Sequence, residues 1–330
     1  MRVAAIDCGT NSIRLLVADH DAEAGTLTEV TRRAEVVRLG QGVENTGRLG
    51  QEALDRTLLM CREYAEECRH HGVPRGSVRF VATSATRDAS NAEEFFEGVR
   101  AAFGELEVSP EVISGDEEAT LGFAGATRGL QEAGFDGPYL VVDIGGGSTE
   151  MVRGTHEVVA GRSFDIGSVR LTERHHRTDP PTQEIIDAAR YDIAEVLDVA
   201  EAEVGLGGIK TVVGLAGSVT TVTAQALGLN SYDREAIHLA NVSVEQMMMA
   251  CEQLILSTRA ERAQLPFMHP GRVDVIGGGA LIWYEILDRA RGANGPDLVV
   301  TSSERDILDG IALSVVERRT APDEEPDQGE

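Results

Sequence analysis

Residues 4–18 read AAIDCGTNSIRLLVA, and residues 140–152 read LVVDIGGGSTEMV. Superposed on their aspartates, Asp7 falls on Asp143, Gly9 on Gly145, Ser12 on Ser148 and Arg14 on Glu150. Each stretch is an aliphatic run closed by an aspartate, then small residues, then a second apolar run, which spells strand, tight turn, strand. The chemistry lies in the turn. A carboxylate at a strand end can hold a divalent cation directly or through water, and a turn poor in side chains lets backbone N–H groups approach a phosphate. Two copies in one chain predict a duplicated fold that clamps a phosphate chain between two lobes.

The remaining sequence bounds this reading. The chain has 330 residues, 42% of them hydrophobic, enough for two cores. No apolar run approaches the ~20 residues that span a bilayer. Asp7 follows the first methionine too closely for a signal-peptide core, so a cytoplasmic protein is expected. Cys8, Cys61, Cys68 and Cys251 have no paired C-x-x-C spacing; reduced thiols are expected and zinc is not. The formal charge of −25 disfavours nucleic acid and anionic membrane as partners. Attraction for a phosphate chain must then come from a few placed arginines, backbone amides and a metal.

Strands and helices alternate along the chain, an α/β pattern with ligand loops at the carboxyl ends of strands. Strands are expected at 27–39, 78–82, 111–113, 157–165, 210–213, 273–276 and 298–301 besides the two hairpins. Helices are expected at 51–72, from Asn91 to Phe103 behind an Asn91/Glu94 capping box, from Ser114 to about Leu130, and near 182–203. Residues 83–88 read as a polar loop, Gly167-Ser168 as a turn, and the acidic, proline-containing tail from residue 320 as disordered. His175, His176 and His269 lack metal-ligand spacing and are expected at the surface. This divides the chain into a first domain over 1–125, a second over 126–303, and a helix near 304–319 packing back on the first.

AIDCGTNS, ATSATR, ISGDEEA, VVDIGGGSTE, GLAGS and VIGGGA occur in an order that resembles the exopolyphosphatase and guanosine pentaphosphate phosphohydrolase (Ppx/GppA) family. The resemblance runs to about residue 318, with Cys8 standing where an aliphatic residue is usual. It implies two duplicated ribonuclease-H-like domains, of the actin and sugar-kinase type, with an interdomain cleft. It also implies a terminal phosphate bound in that cleft, Glu118 activating the attacking water, and Asp143, Glu150 and Asp7 near a Mg²⁺ or Mn²⁺ ion. Asn11, Ser12, Arg87, Gly145, Gly146, Gly147, Ser148, Gly217 and Ser218 correspond to phosphate-binding positions. Arg14 is read as pairing within the cleft. Gly277–Gly279 either line a nucleotide base or permit a strand–helix turn.

Hydrolysis of a phosphoanhydride needs an aligned water, neutralised charge and a leaving group in line. Glu118 at a helix start suits the first need, although Glu117 and Glu118 at a first turn would also simply favour the helix dipole. Inorganic polyphosphate is the first expected substrate, guanosine pentaphosphate the second and nucleoside triphosphates the third. A sugar-kinase-like phosphotransferase and a non-catalytic nucleotide sensor are the rival readings. Family members often form homodimers, but no interface is legible in the residues.

Overall fold

The computed structural model describes residues 1–175 and 178–320. Its frame is two five-stranded sheets. The first uses β1 (Arg2–Cys8), β2 (Ser12–Asp21), β3 (Thr26–Val36), β4 (Val78–Ala82) and β5 (Glu111–Val112) in the order β3-β2-β1-β4-β5. The second uses β6 (Tyr139–Ile144), β7 (Thr149–Gly154), β8 (Val158–Phe164), β9 (Thr211–Leu215) and β10 (Val299–Ser302) in the order β10-β9-β6-β7-β8. Numbered from its own first strand, each sheet runs 3-2-1-4-5. In both, only the second strand is antiparallel to the rest. The expected duplicated α/β fold is therefore present, strand for strand.

The central strands are aliphatic on both faces because helices cover both sides of each sheet. Val3, Ala5, Leu16 and Val81 meet Ile307, Leu308, Ile311 and Ala312 of the helix Ile307–Thr320. Cys8, Ile13, Phe80 and Phe95 form the other core of that sheet with Tyr64, Cys61 and Cys68 from the helix Gln51–His70. All four cysteines are buried and free. The helix Gly115–Thr127 serves both sheets: Leu121 enters the first core, while Ala119, Phe123 and Ala126 pack on β6, β7 and β9.

Several local expectations differ from the structure. No strand forms at 273–276; a 3₁₀ turn, Pro270–Arg272, leads into the helix Ile276–Asn294, and Gly277–Gly279 lie in its first turn. A Cβ on Gly278 would lie 3.0 Å from the Ser168 carbonyl oxygen, and one on Gly279 would crowd Ser218. The glycines thus permit close packing of a buried helix, and Val273-Asp274-Val275-Ile276 leading into it has the alternating texture of a strand. Residues 84–87 form a short helix rather than a loop, and the expected Gly167-Ser168 turn leads directly into the helix Ser168–His175. Asn91 does not cap its helix with its side chain; its amide accepts from Leu49 N at 2.8 Å and donates to Leu49 O at 3.1 Å, pinning a neighbouring loop. His175 is held by Asp192 at 2.8 Å, and His269 accepts from Gly271 N at 3.1 Å. His176 and the tail 321–330 lie outside the described residues. Among the described residues no helix is long and apolar enough to cross a membrane.

Candidate active site

The two hairpin turns close in the same way. Gly9 N–H donates to the Ser12 carbonyl at 2.9 Å, and Gly145 N–H donates to the Ser148 carbonyl at 3.0 Å. They face and touch each other: a Cβ on Gly146 would lie 3.0 Å from Thr10 Cβ, and one on Gly147 would collide with Ser84 Oγ. Between them is a notch of about 90 Å³, lined by both turns together with Asp7, Arg14, Thr83, Glu118, Asp143, Ala216–Ser218, Ser168 and Arg272. It is too small for an organic ligand, whose sites usually run ~300–1,000 Å³, and it is walled by backbone amides and charge. One further wall is the N-terminus of the helix Ala216–Ala226, where unpaired N–H groups favour an anion. Ala216 there takes φ 61°, a left-handed conformation that costs a non-glycine residue and marks a constrained turn.

Strand register explains how the charges divide. Asp7 pairs with Arg14 across β1 and β2, and Asp143 pairs with Glu150 at the same place across β6 and β7. Directly paired residues project from the same face, so one copy carries an ion pair and the other a carboxylate pair. Arg14 donates to Asp7 Oδ2 at 2.9 and 2.6 Å and also bonds Asp306, which lies 3.8 Å from Arg32. Although burial opposes its charge, Asp306, Asp7 and Asp143 hold the Arg14 guanidinium firmly protonated. Glu150 accepts from Ser163 Oγ at 2.6 Å; burial nonetheless lifts its carboxyl to about 7. Burial first, then the like charge of Glu150, pushes Asp143 well above the ordinary carboxylate range. Asp7 is raised by burial too, with Arg14 pulling the other way.

Glu118 completes the floor. The Ser114 hydroxyl caps its helix by accepting from Glu117 N at 3.1 Å. Consecutive helix residues point about 100° apart, so Glu117 turns outward to Arg79 while Glu118 turns into the notch. Its Oε2 is buried without a hydrogen-bond partner. Arg87 Nη1 lies 3.5 Å from that oxygen and donates to the Ile113 carbonyl at 3.1 Å. Burial first, then Glu150, Asp7 and Asp143, raise the Glu118 carboxyl well above its usual range, and Arg87 partly offsets them.

The structure therefore gathers Asp7, Asn11, Ser12, Glu118, Asp143, Gly145, Gly146, Gly147, Ser148, Gly217 and Ser218 around one notch. Glu150 stands behind Asp143, and Arg87 stands behind Glu118 rather than at the notch wall. Arg272, at the notch wall, and Asp306, beside the notch, escaped the sequence reading. Arg272 packs its guanidinium on Gly217 and donates to Thr221 Oγ1 at 3.3 Å, with no carboxylate partner among the described residues. Asp306 holds Arg14 from a loop 292 positions away. Neither carries a local motif, and only tertiary folding brings them in.

No group of three or more His, Cys, Asp or Glu side chains among the described residues converges as a ready metal cage. The floor nevertheless holds more buried carboxylate than Arg14 and Arg87 balance, and Glu118 Oε2 lacks a partner. That excess fits a hard divalent cation that takes one or two protein carboxylates and fills its shell with water and phosphate oxygens.

Comparison with known proteins identifies the family and the fold. The model of the Ppx/GppA phosphatase family matches residues 16–292. The chain is 50% identical over 318 residues to "Exopolyphosphatase 2" of Mycobacterium tuberculosis, covering 95% of this chain and 98% of the relative. A crystal structure described as an exopolyphosphatase-like protein superposes with a TM-score of 0.91 at 44% identity, covering 97% of this chain and 99% of the other. The Aquifex aeolicus Ppx/GppA family member superposes with a TM-score of 0.78 at 29% identity, covering 98% and 99%. The chain belongs to the Ppx/GppA phosphatase family.

Proposed function

We propose that the protein is a divalent-cation-dependent exopolyphosphatase that releases orthophosphate from the end of a phosphoanhydride chain by direct attack of water. One observation carries the reading: the Glu118 carboxylate, with no hydrogen-bond donor on its buried Oε2, lines a phosphate-sized notch between two backbone-lined turns. Glu118 accepts the proton of the attacking water, and Arg87 orients it and stabilises its charged form. The amides of Gly146, Gly147 and Ser148 and the N-terminus at Ala216–Ser218 hold the terminal phosphoryl oxygens, joined by Arg272. The first turn, at Asn11 and Ser12, grips neighbouring phosphates. Asp143, with Glu150 and Asp7 around it, would hold Mg²⁺ or Mn²⁺, and that ion would neutralise phosphate charge. A phosphoenzyme is not part of this scheme. Asp7 is tied to Arg14, and Asp143 is given to the cation in this scheme.

A second reading, guanosine pentaphosphate as substrate, has its own support. A cavity of about 470 Å³ adjoins the notch through Arg14, Gly217 and Arg272 and is walled by Tyr232, Phe267 and Met268. That size and apolar lining suit a purine. Phosphate release is measured from triphosphate, long polyphosphate and guanosine pentaphosphate without any acceptor, in Mg²⁺ and in excess EDTA. The highest kcat/KM on polyphosphate and loss in EDTA are expected. Equal rates in EDTA remove the metal role, and no release from any substrate removes the hydrolase reading.

A further inference from the structure

Arg170 lies outside the notch, yet it touches both walls that form it. Its Nε donates to the carbonyl of Gly147 at 2.8 Å. Its Nη2 donates to Asp88 Oδ2 at 2.7 Å, and its Nη1 lies 2.8 Å from Glu44 Oε2. Gly147 belongs to the second turn, while Asp88 and Glu44 belong to the side of the first sheet. Asp88 ends the short helix whose Arg87 reaches Glu118. Glu44 follows Gly40, whose N–H donates to the Thr10 carbonyl at 2.8 Å. One planar guanidinium thus links the phosphate turn to the two opposing segments that hold Thr10 and Arg87.

The neighbourhood of Arg170 is built around the same junction. The first three N–H groups of its helix, from Ser168, Val169 and Arg170, donate to the Gly145 and Gly146 carbonyls at 2.9, 2.8 and 3.1 Å. They occupy those carbonyls, so the start of this helix is bonded directly to the phosphate turn. Across the same gap, Arg174 lies 3.0 Å from Glu44, and Gly42 N–H donates to Glu173 at 3.2 Å. Exposed ion pairs contribute little, but the Arg170 side chain is only 16% exposed and serves three acceptors at once. A guanidinium fork matches that demand, whereas an ammonium cannot.

We propose that Arg170 is a positioning residue that couples closure of the two lobes to the geometry of the phosphate turn. It touches no substrate. Its bond to Gly147 shapes the turn, and its bonds to Asp88 and Glu44 set how much of the enzyme stands closed before substrate arrives. When the binding-competent state is only fractionally populated, apparent affinity falls by that fraction. The kinetic part of this inference rests on the polyphosphatase reading; the structural part does not.

The test separates the two functions of the side chain. The double variant Glu44→Gln/Asp88→Asn keeps the Gly147 bond and the 3.9 Å approach to Asp165 of the same lobe, and removes the charge of the two acceptors on the opposite lobe. With far-UV circular dichroism and melting near wild type, it should raise KM for polyphosphate about tenfold while kcat stays within about threefold. Small-angle scattering without substrate should show a larger radius of gyration, restored by saturating polyphosphate. Arg170→Met should raise KM equally and also lower kcat about tenfold or more, and Arg170→Lys should not rescue it. A double variant with wild-type KM and radius of gyration overturns the proposal. If the wild type releases no phosphate from polyphosphate, scattering alone decides, and an unchanged radius overturns the clasp.

Discussion

At Arg14 and Glu150 the duplicated hairpins part company, and the consequences are local and measurable. Arg14 is the buried hub that neutralises Asp7 and Asp306, so removing it strands Asp7 and leaves Asp306 only the more distant Arg32. Breaking such a pair by deleting one partner costs ~3–5 kcal/mol. Arg14→Met should lower unfolding free energy by about that much, read from a urea midpoint; a loss under about 1 kcal/mol would show that water reaches the pair. At Glu118 the effect is chemical instead. Glu118→Gln keeps size and one oxygen but cannot take the water's proton, so kcat should fall about 10²–10⁴-fold with the melting temperature held or raised. A variant with near-wild-type kcat would remove Glu118 from the base role. These residues were legible because each sits at a fixed offset in a short motif. Asp306 and Arg272 were not, because nothing within several residues of either distinguishes it from a surface charge; folding alone places them at Arg14 and Gly217.

Helix contacts decide whether Glu118 is aimed at all. Its helix, Gly115–Thr127, meets Ile307–Thr320 backbone to backbone: a Cβ on Gly125 would collide with the Asp306 carbonyl, and one on Gly310 with that of Leu121. No rotamer change relieves a clash with backbone. Gly125→Ala should therefore destabilise by about 1–3 kcal/mol and lower kcat, since the shift displaces both Glu118's helix and Asp306. Gly292→Ala is the control, because a Cβ there meets nothing within 4 Å and the site is helical and exposed. It should hold or raise stability, by up to ~1 kcal/mol. If the two variants melt alike, the close contact is not what fixes the helix. The same glycines mark where sequence reading succeeds and where it stops. The hairpins were legible because their aliphatic runs end in Asp-x-Gly turns whose register follows from period-two pairing. Only the start of the helix Ile276–Asn294 was misread, because Val273–Ile276 followed by three glycines has the texture of a strand and a turn. Its real constraint, close passage over Ser168 and Ser218, is invisible until the chain folds.

Across the whole molecule, a formal charge of −25 surrounds a notch built to hold a polyanion. Proteins that bind polyanions on an extended cationic groove release counterions and lose ~10³–10⁵ in affinity between 50 and 200 mM salt. Here the cationic groups near the notch are few: Arg14 and Arg87 are already engaged by carboxylates, leaving Arg272 and backbone dipoles as the free attraction. Those contacts act at short range inside a closed notch, where salt screens poorly. The acidic surface acts at long range, and it is this repulsion that a Debye length of ~8–10 Å near physiological salt suppresses. The two effects oppose each other, and the long-range one is the more sensitive to salt. With Mg²⁺ held constant, kcat/KM for long polyphosphate should change by less than about threefold between 50 and 200 mM NaCl, or rise. For triphosphate, which meets the repulsive field with far fewer charges, the salt response should be flatter still. A fall of a hundredfold or more on long chains would show instead that the substrate runs along an extended basic track beyond the notch. Affinity would then reside in the surface rather than in the paired turns.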